Sequence, residues 1–346
     1  MKIGIINDIH IDAKRVGGTT ESSREALQKY ALDEFRKLLI AAKEMDKLII
    51  LGDLFNQPKV DNWIFLQTLV LLKEFLNSTP DCQLILVRGN HDARSKDRNN
   101  LCSLELLAKL LDDQIVFIFD GAYTFVTPEG IRHQIVPHMF DQNSFDKALT
   151  DVPEEVDFLY LHVNVDNPFC SGDHSLSISK DQVKTLHEKG VTIICGHEHH
   201  RRRPFHNVIV IGNQFPTSVL DCKGGQEKSW LQISGKGVAR IPSWNQKDNY
   251  FEVDYTQLDT VPPTAQFVRV HGDVPKGEFT KVIQLINRYR AGSSAFVVSN
   301  AVSVTVAEQL ITAEQVSRVN VIQMLIDALA DPFRQKVIDC NNEVAA

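Results

Sequence analysis

The sequence predicts an α/β sandwich with central sheets, and three observations carry that reading. Short Ile- and Val-rich runs of nearly continuous apolar character alternate with helical patterns over the first two-thirds of the chain, as strands covered on both faces do. Capping boxes open helices between those runs. Polar Asp, Asn and His residues recur where the runs end, which is where open α/β sheets bind ligands.

The expected strands are Ile3–Ile6, Leu48–Leu51, Leu84–Val87, Ile115–Phe119, Phe158–His162, Val191–Cys195 and Val208–Ile211. Ser22-Ser23-Arg24-Glu25 is a capping box, and Leu27, Tyr30, Phe35, Leu38, Leu39 and Ala42 follow at helical spacing. Ser179-Lys180-Asp181-Gln182 is a second, opening a helix before Val191. Near Ile241-Pro242-Ser243-Trp244-Asn245 the pattern changes, as at a linker. A strand (Phe267–His271), a helix (Phe279–Arg290) and a strand (Ala295–Ser299) follow as a small α+β unit. Thr312-Ala313-Glu314-Gln315 then caps a tail helix with a wide apolar face, stopped by Asp331-Pro332. The expected divisions are 1–240, 248–303 and 304–346.

The 346 residues suit one large domain with a smaller one. With 43% hydrophobic and 23% charged residues the balance is that of a soluble globular protein. No apolar run is long enough to span a bilayer, and Asp8 and His10 interrupt any signal-peptide core, so a cytoplasmic protein, in the host cytoplasm if viral, is expected. The six cysteines form no C-x-x-C pair and read as reduced, buried thiols. The net charge of −7 argues against bulk electrostatic binding of nucleic acid but leaves local patches open.

Five strand ends present metal-ligating types: Asp8 and His10; Asp53; Asn90, His91 and Asp92; His162; and His197 with His199. Each fragment alone is a common turn or cap. Their conjunction, each after a strand, is not readily produced by chance. Asp and Asn oxygens with imidazole nitrogens suit Mn, Fe or Zn, and the absence of thiolates argues against a structural zinc site. Gly196-His197-Glu198-His199 is not the zincin helix motif, since Arg201 stands where that needs His.

The series D-x-H, G-D, G-N-H-D, H and G-H-x-H resembles calcineurin-like metallophosphoesterases, over roughly residues 1–235. The resemblance implies a two-sheet sandwich and two divalent ions, manganese first, with Mg, Fe or Zn as alternatives. It implies Asp8, His10 and His199 on one ion, Asn90, His162 and His197 on the other, and Asp53 bridging. It further implies His91 as the proton donor to the leaving oxygen, oriented by Asp92.

Within that superfamily the chain looks most like the SbcD-type nuclease subunits of double-strand-break repair, bacteriophage exonuclease subunits included. The Gly52-Asp53-Leu54-Phe55 form, the small strand-helix-strand unit and the helical tail carry that likeness. It implies a DNA substrate and an ABC-type ATPase partner bound through the tail, with Val319, Ile322 and Ile326 as anchors. The chain has no G-x-x-x-x-G-K-[ST], so that ATPase would be another polypeptide. A homodimer is compatible with the pattern, and no membrane is expected. Many such nucleases carry His three residues after the bridging Asp, where this chain has Asn56. That departure bears on the balance of exonuclease and endonuclease activity. Lys14, Arg15, Arg94 and Arg201 lie on loops after the ligand strands and are expected to meet nucleic acid. A stand-alone phosphoesterase acting on small nucleotides or phosphoproteins is the alternative.

Overall fold

The computed structural model describes residues 1–13, 21–92, 102–111, 115–166, 176–222, 227–275 and 277–305. In chain order these form β1 (Lys2–Ile6), α1 (Glu21–Ala41), β2 (Lys47–Leu51), α2 (Asn62–Ser78), β3 (Gln83–Val87), α3 (Ser103–Leu110), β4 (Ile115–Ile118), β5 (Tyr123–Val126), β6 (Arg132–Val136), α4 (Gln142–Thr150) and β7 (Phe158–His162). Then come β8 (Asn164–Val165), β9 (Ser177–Ile178), α5 (Lys180–Glu188), β10 (Thr192–Gly196), β11 (Val208–Val210), β12 (Lys228–Ser234), β13 (Gly237–Trp244), α6 (Gln246–Asn249), β14 (Tyr250–Asp254), β15 (Phe267–Pro275), α7 (Phe279–Gly292) and β16 (Phe296–Thr305).

Two sheets stack face to face, with strand orders β13-β12-β1-β2-β3-β4 and β11-β10-β7-β6-β5. Their inner faces meet through Ile3, Ile5, Ile49, Leu51, Ile85, Val87, Tyr160 and Ile194. The outer face of the first packs on α1, α2 and α3 through Ile6, Leu48, Leu84, Phe35, Leu72 and Leu107. The outer face of the second packs on α4 and α5 through Leu159, Ile193, Phe145 and Leu186. Strands apolar on both faces are therefore buried on both faces, and the α/β sandwich read from the sequence is the observed fold. The Ser179 capping box closes as expected, the hydroxyl accepting from the Gln182 amide. Helix α1 begins at Glu21, one residue before the Ser22 expected to cap it.

The stretch expected as a linker is the outer strand β13, paired antiparallel with β12 through Trp244. Pro242 is tolerated because β13 lies at the sheet edge, where a missing N–H leaves no neighbour unpaired. Beyond it β14, β15 and β16 form an all-parallel sheet with α7 packed on it through Val282 and Ile286. This unit docks on the sandwich: Phe267 meets Tyr30 and Trp244 edge-on, Phe296 meets Tyr30 edge-on, and Trp244 Nε1 donates to Gln266 Oε1 at 2.7 Å. No helix among the described residues is long and apolar enough to cross a membrane.

Candidate metal centre

The centre lies at the carboxyl ends of β1, β2 and β3 of one sheet and β7 and β10 of the other. After β1 the chain alternates: Ile9 and Ile11 enter the core, which turns Asp8 and His10 the other way. The backbone is zipped to the next loop by Asp8 N to Gly52 O, 3.1 Å, and His10 N to Asp53 O, 3.0 Å. Asp8, His10, Asp53 and His197 all have positive φ, 50°, 45°, 54° and 85°. Such conformations cost free energy in residues with a Cβ and persist only where the surroundings enforce them. Four of the seven expected ligands share this strain.

Two glycines make room. A Cβ on Gly52 would stand 2.3 Å from His162 Nδ1, and its φ of +83° disfavours any side chain. A Cβ on Gly89 would stand 2.0 Å from Asp53 Oδ1. Both must be glycine for the strand ends to close on the site.

The structure brings together all seven residues that the sequence nominated. Asp8, His10 and His199 place ligand atoms within 4.8 Å of one another, and Asp53, His162 and His197 do the same. His10 Nε2 and His199 Nε2 are 3.1 Å apart, with Asp53 Oδ2 3.7 Å and Asp8 Oδ1 3.9 Å from His10 Nε2. On the other side Asn90 Oδ1 is 3.0 Å from His162 Nε2 and 2.9 Å from His197 Nδ1, and Asp53 Oδ2 is 3.3 Å from His162 Nε2. Asp53 Oδ2 thus faces both groups, as a bridging carboxylate must.

These donors fit divalent cations. His162 Nδ1–H donates to the Leu51 carbonyl at 2.9 Å, so Nε2 is the nitrogen left to face Asn90 and Asp53 as a ligand. His199 Nδ1–H donates to Asp221 Oδ1 at 2.9 Å, leaving its Nε2 lone pair toward His10. Asp8 Oδ1 is buried without a hydrogen-bond partner. Lone pairs converging without donors between them need a cation. Burial pushes the His10 and His197 imidazoles down to about 4, so both are neutral. Burial pulls His162 the same way, but the Asp53 carboxylate overrides it and raises His162 to about 9, so without an ion its Nε2 carries a proton that a bound cation would replace.

His91 stands at the rim, its ring edge-on to His10 at 5.0 Å between centroids, and its backbone N–H donates to Asp53 Oδ1 at 2.9 Å. Asp92 does not orient it. Asp92 is buried and accepts from three backbone amides: Asp53 N at 2.8 Å and Gly89 N at 2.9 Å on Oδ2, and Phe55 N at 3.1 Å on Oδ1. The hold on His91 comes from the Asn56 carbonyl, which accepts from Nδ1–H at 3.0 Å. A carboxylate one residue away in sequence was the obvious candidate, but burial committed it to the backbone.

Lys14, Arg15 and Arg94 lie outside the described residues, as do Val319, Ile322 and Ile326. Arg201 follows His199 on the same loop, and its Nε has no hydrogen-bond partner. Arg202 is not a free cation: it pairs with Glu198, 2.5 Å, and donates to the Val165 carbonyl, tying the β7 and β10 loops together. Sequence reading missed Asp221, and it missed the Asn7–Gln214 pair that braces β1 from below (Asn7 N to Gln214 Oε1, 2.8 Å). For Asp221 a signal existed, since Ser218-Val219-Leu220-Asp221 has the Ser-x-x-acid form of a reciprocal cap.

The calcineurin-like phosphoesterase family matches residues 1–201, more than half of the chain. No curated protein matches it. Solved structures to which the chain shows some similarity include a dimetal phosphatase from Danio rerio (13% identity, TM-score 0.40, covering 70% of this chain and 99% of that one). They also include a Thermus thermophilus protein (11%, TM-score 0.37, covering 70% and 98%) and a cold-active protein-tyrosine phosphatase of a psychrophilic Shewanella (13%, TM-score 0.34, covering 70% and 78%). At these identities nothing about substrate passes from them to this chain.

Proposed function

This chain belongs to the calcineurin-like phosphoesterase family, and from that premise we propose that it is a two-metal DNA phosphodiesterase, an exonuclease or endonuclease subunit. We place it in DNA recombination, repair or replication beside an ABC-type ATPase. The observation that carries the hydrolytic half is Asp53 Oδ2 facing both donor groups, with His91 held beside them.

Asp8, His10 and His199 would hold one ion, Asn90, His162 and His197 the other, and Asp53 both. Bound there, two ions supply an activated water and neutralise charge on the phosphate. The chain's own groups do the rest. Glycine-lined turns bring the carboxylates and imidazoles to one cleft. His91 keeps its Nδ1–H on the Asn56 carbonyl, so Nε2 is the nitrogen that gives a proton to the departing oxygen. Asn56 serves through its backbone; its side chain offers no imidazole for a second proton transfer.

The DNA half is supported by the Gly52-Asp53-Leu54-Phe55 form, by the parallel three-stranded unit docked after the sandwich, and by Arg201 on a ligand loop. A division after Trp244, where β13 ends, and a partner-binding tail fit the same reading. The test is turnover of labelled linear duplex, single-stranded DNA and a small generic phosphodiester with Mn(II). Cleavage of DNA is expected. Cleavage of the small ester alone would favour a stand-alone enzyme of nucleotides or phosphoproteins.

A further inference from the structure

We infer that Asp221 is a positioning residue for the metal centre: it fixes the tautomer of His199 and so aims the Nε2 lone pair at the ion shared with Asp8 and His10. The inference rests on the two-ion reading above.

Asp221 lies on a single 3-10 turn, Val219–Cys222, and is buried. Its two oxygens divide the work. Oδ2 accepts from Thr217 N at 2.9 Å, Ser218 N at 3.0 Å and Thr217 Oγ1 at 3.1 Å, which locks the carboxylate plane. Oδ1 is left for His199 Nδ1–H at 2.9 Å. An ionised carboxylate only accepts, so His199 must carry its proton on Nδ1. Its Nε2 then has a lone pair 3.1 Å from His10 Nε2, inside the donor group. His162 gets its tautomer from a neutral carbonyl, that of Leu51. A carboxylate acceptor polarises the ring more and raises its basicity as a ligand. The turn itself is anchored: Val219, Cys222 and Phe215 pack in the same core as Phe267 and Val298 of the small sheet.

Asp221→Asn is the informative variant because it keeps the shape. Its Oδ1 can still accept from the Thr217 and Ser218 amides, which turns its NH₂ toward His199. The ring must then accept at Nδ1 and carry its proton on Nε2, where the ion belongs. Two measurements on the full chain read this. Nitrogen NMR of the histidine-labelled, metal-free protein, at a pH where His199 is neutral, should show Nδ1–H in the wild type and Nε2–H in Asp221→Asn. Calorimetric titration with Mn(II) should show two sites in the wild type, and in the variant one site about 10–100-fold weaker with the other unchanged. Asp221→Glu should restore both the Nδ1–H tautomer and most of the lost affinity. An unchanged tautomer in Asp221→Asn, or two undiminished Mn(II) sites, would overturn the inference. Equal weakening of both sites with a collapsed melt would also overturn it, since Asp221 would then only hold the fold. If the wild type bound no Mn(II), the two-ion reading would fail, while the NMR would still decide whether Asp221 sets the tautomer.

Discussion

Removing the charge of Asp92 separates a catalytic orienter from a backbone clamp. The carboxylate ties two strand-end loops, those after β2 and β3, through the amides of Asp53, Gly89 and Phe55. In Asp92→Asn one oxygen becomes an NH₂ and can accept nothing. The least costly arrangement keeps the oxygen that serves two amides and gives up the single bond from Phe55. Burial and the neighbouring Asp53 raise the Asp92 carboxyl to about 7, so the comparison belongs above that pH, where the group is charged; a hydrogen bond to it is then worth about 1.5–3 kcal/mol, and the Phe55 amide is left buried. The expected loss is therefore about 2–3 kcal/mol, a fall in melting temperature on the order of 5 °C. Asp92→Ala strands all three amides and should cost at least twice as much. Urea denaturation with the slope checked for constancy gives the number. Native stability in Asp92→Asn together with a displaced pH–rate profile would refute the reasoning, because the carboxylate would then act on His91.

Four further outcomes can be measured, the first three from the site and core geometry and the last from the tail sequence. His91→Ala should keep metal and DNA binding while turnover falls about 10²–10⁴-fold; loss of metal in equilibrium dialysis would make His91 a ligand. Asn56→His should raise exonuclease relative to endonuclease turnover, since it adds an imidazole and keeps the carbonyl that holds His91; an unchanged ratio on end-labelled duplex would assign that role elsewhere. His133 is stacked between Phe125 and Phe158, and burial pushes it down to about 4 from an unfolded value near 6.5; as pH falls through that window only the unfolded chain gains the proton, so about 3 kcal/mol present above pH 6.5 should be lost, and His133→Phe should flatten that part of the stability profile. Replacing Ile322 and Ile326 with Asp should abolish pull-down of a coiled-coil ABC-type ATPase and leave the melt unchanged; a large drop in melting temperature would instead make the tail part of the core.

The parts of this fold that were legible in the sequence share one physical property. Strands buried on both faces must be apolar throughout, so β1, β2, β3, β7, β10 and β11 stand out. The ligands stand out because Asp and His directly after such strands have few structural reasons to recur five times. Strands with a polar face do not stand out. Arg132-His133-Gln134 hides β6, because His133 is buried through ring stacking and a hydrogen bond with the Tyr160 hydroxyl that sequence does not show, and Arg240 and Pro242 made edge strand β13 read as a linker. The contacts that hold the ligands were least legible. Asp221 meets His199 across 22 residues, and Asp92 was misassigned because sequence proximity says nothing about which buried amides need an acceptor.

The most direct test of the central claim is a count of bound Mn(II) in the folded wild type and in Asp53→Asn, paired with phosphodiester turnover. Asp53 Oδ2 faces both donor groups, so a neutral amide there removes the one charge common to both ions. Two ions per wild-type chain, fewer in Asp53→Asn, and turnover lost with them is the result expected. Two ions and full turnover in the folded variant would contradict a shared-carboxylate, two-ion centre.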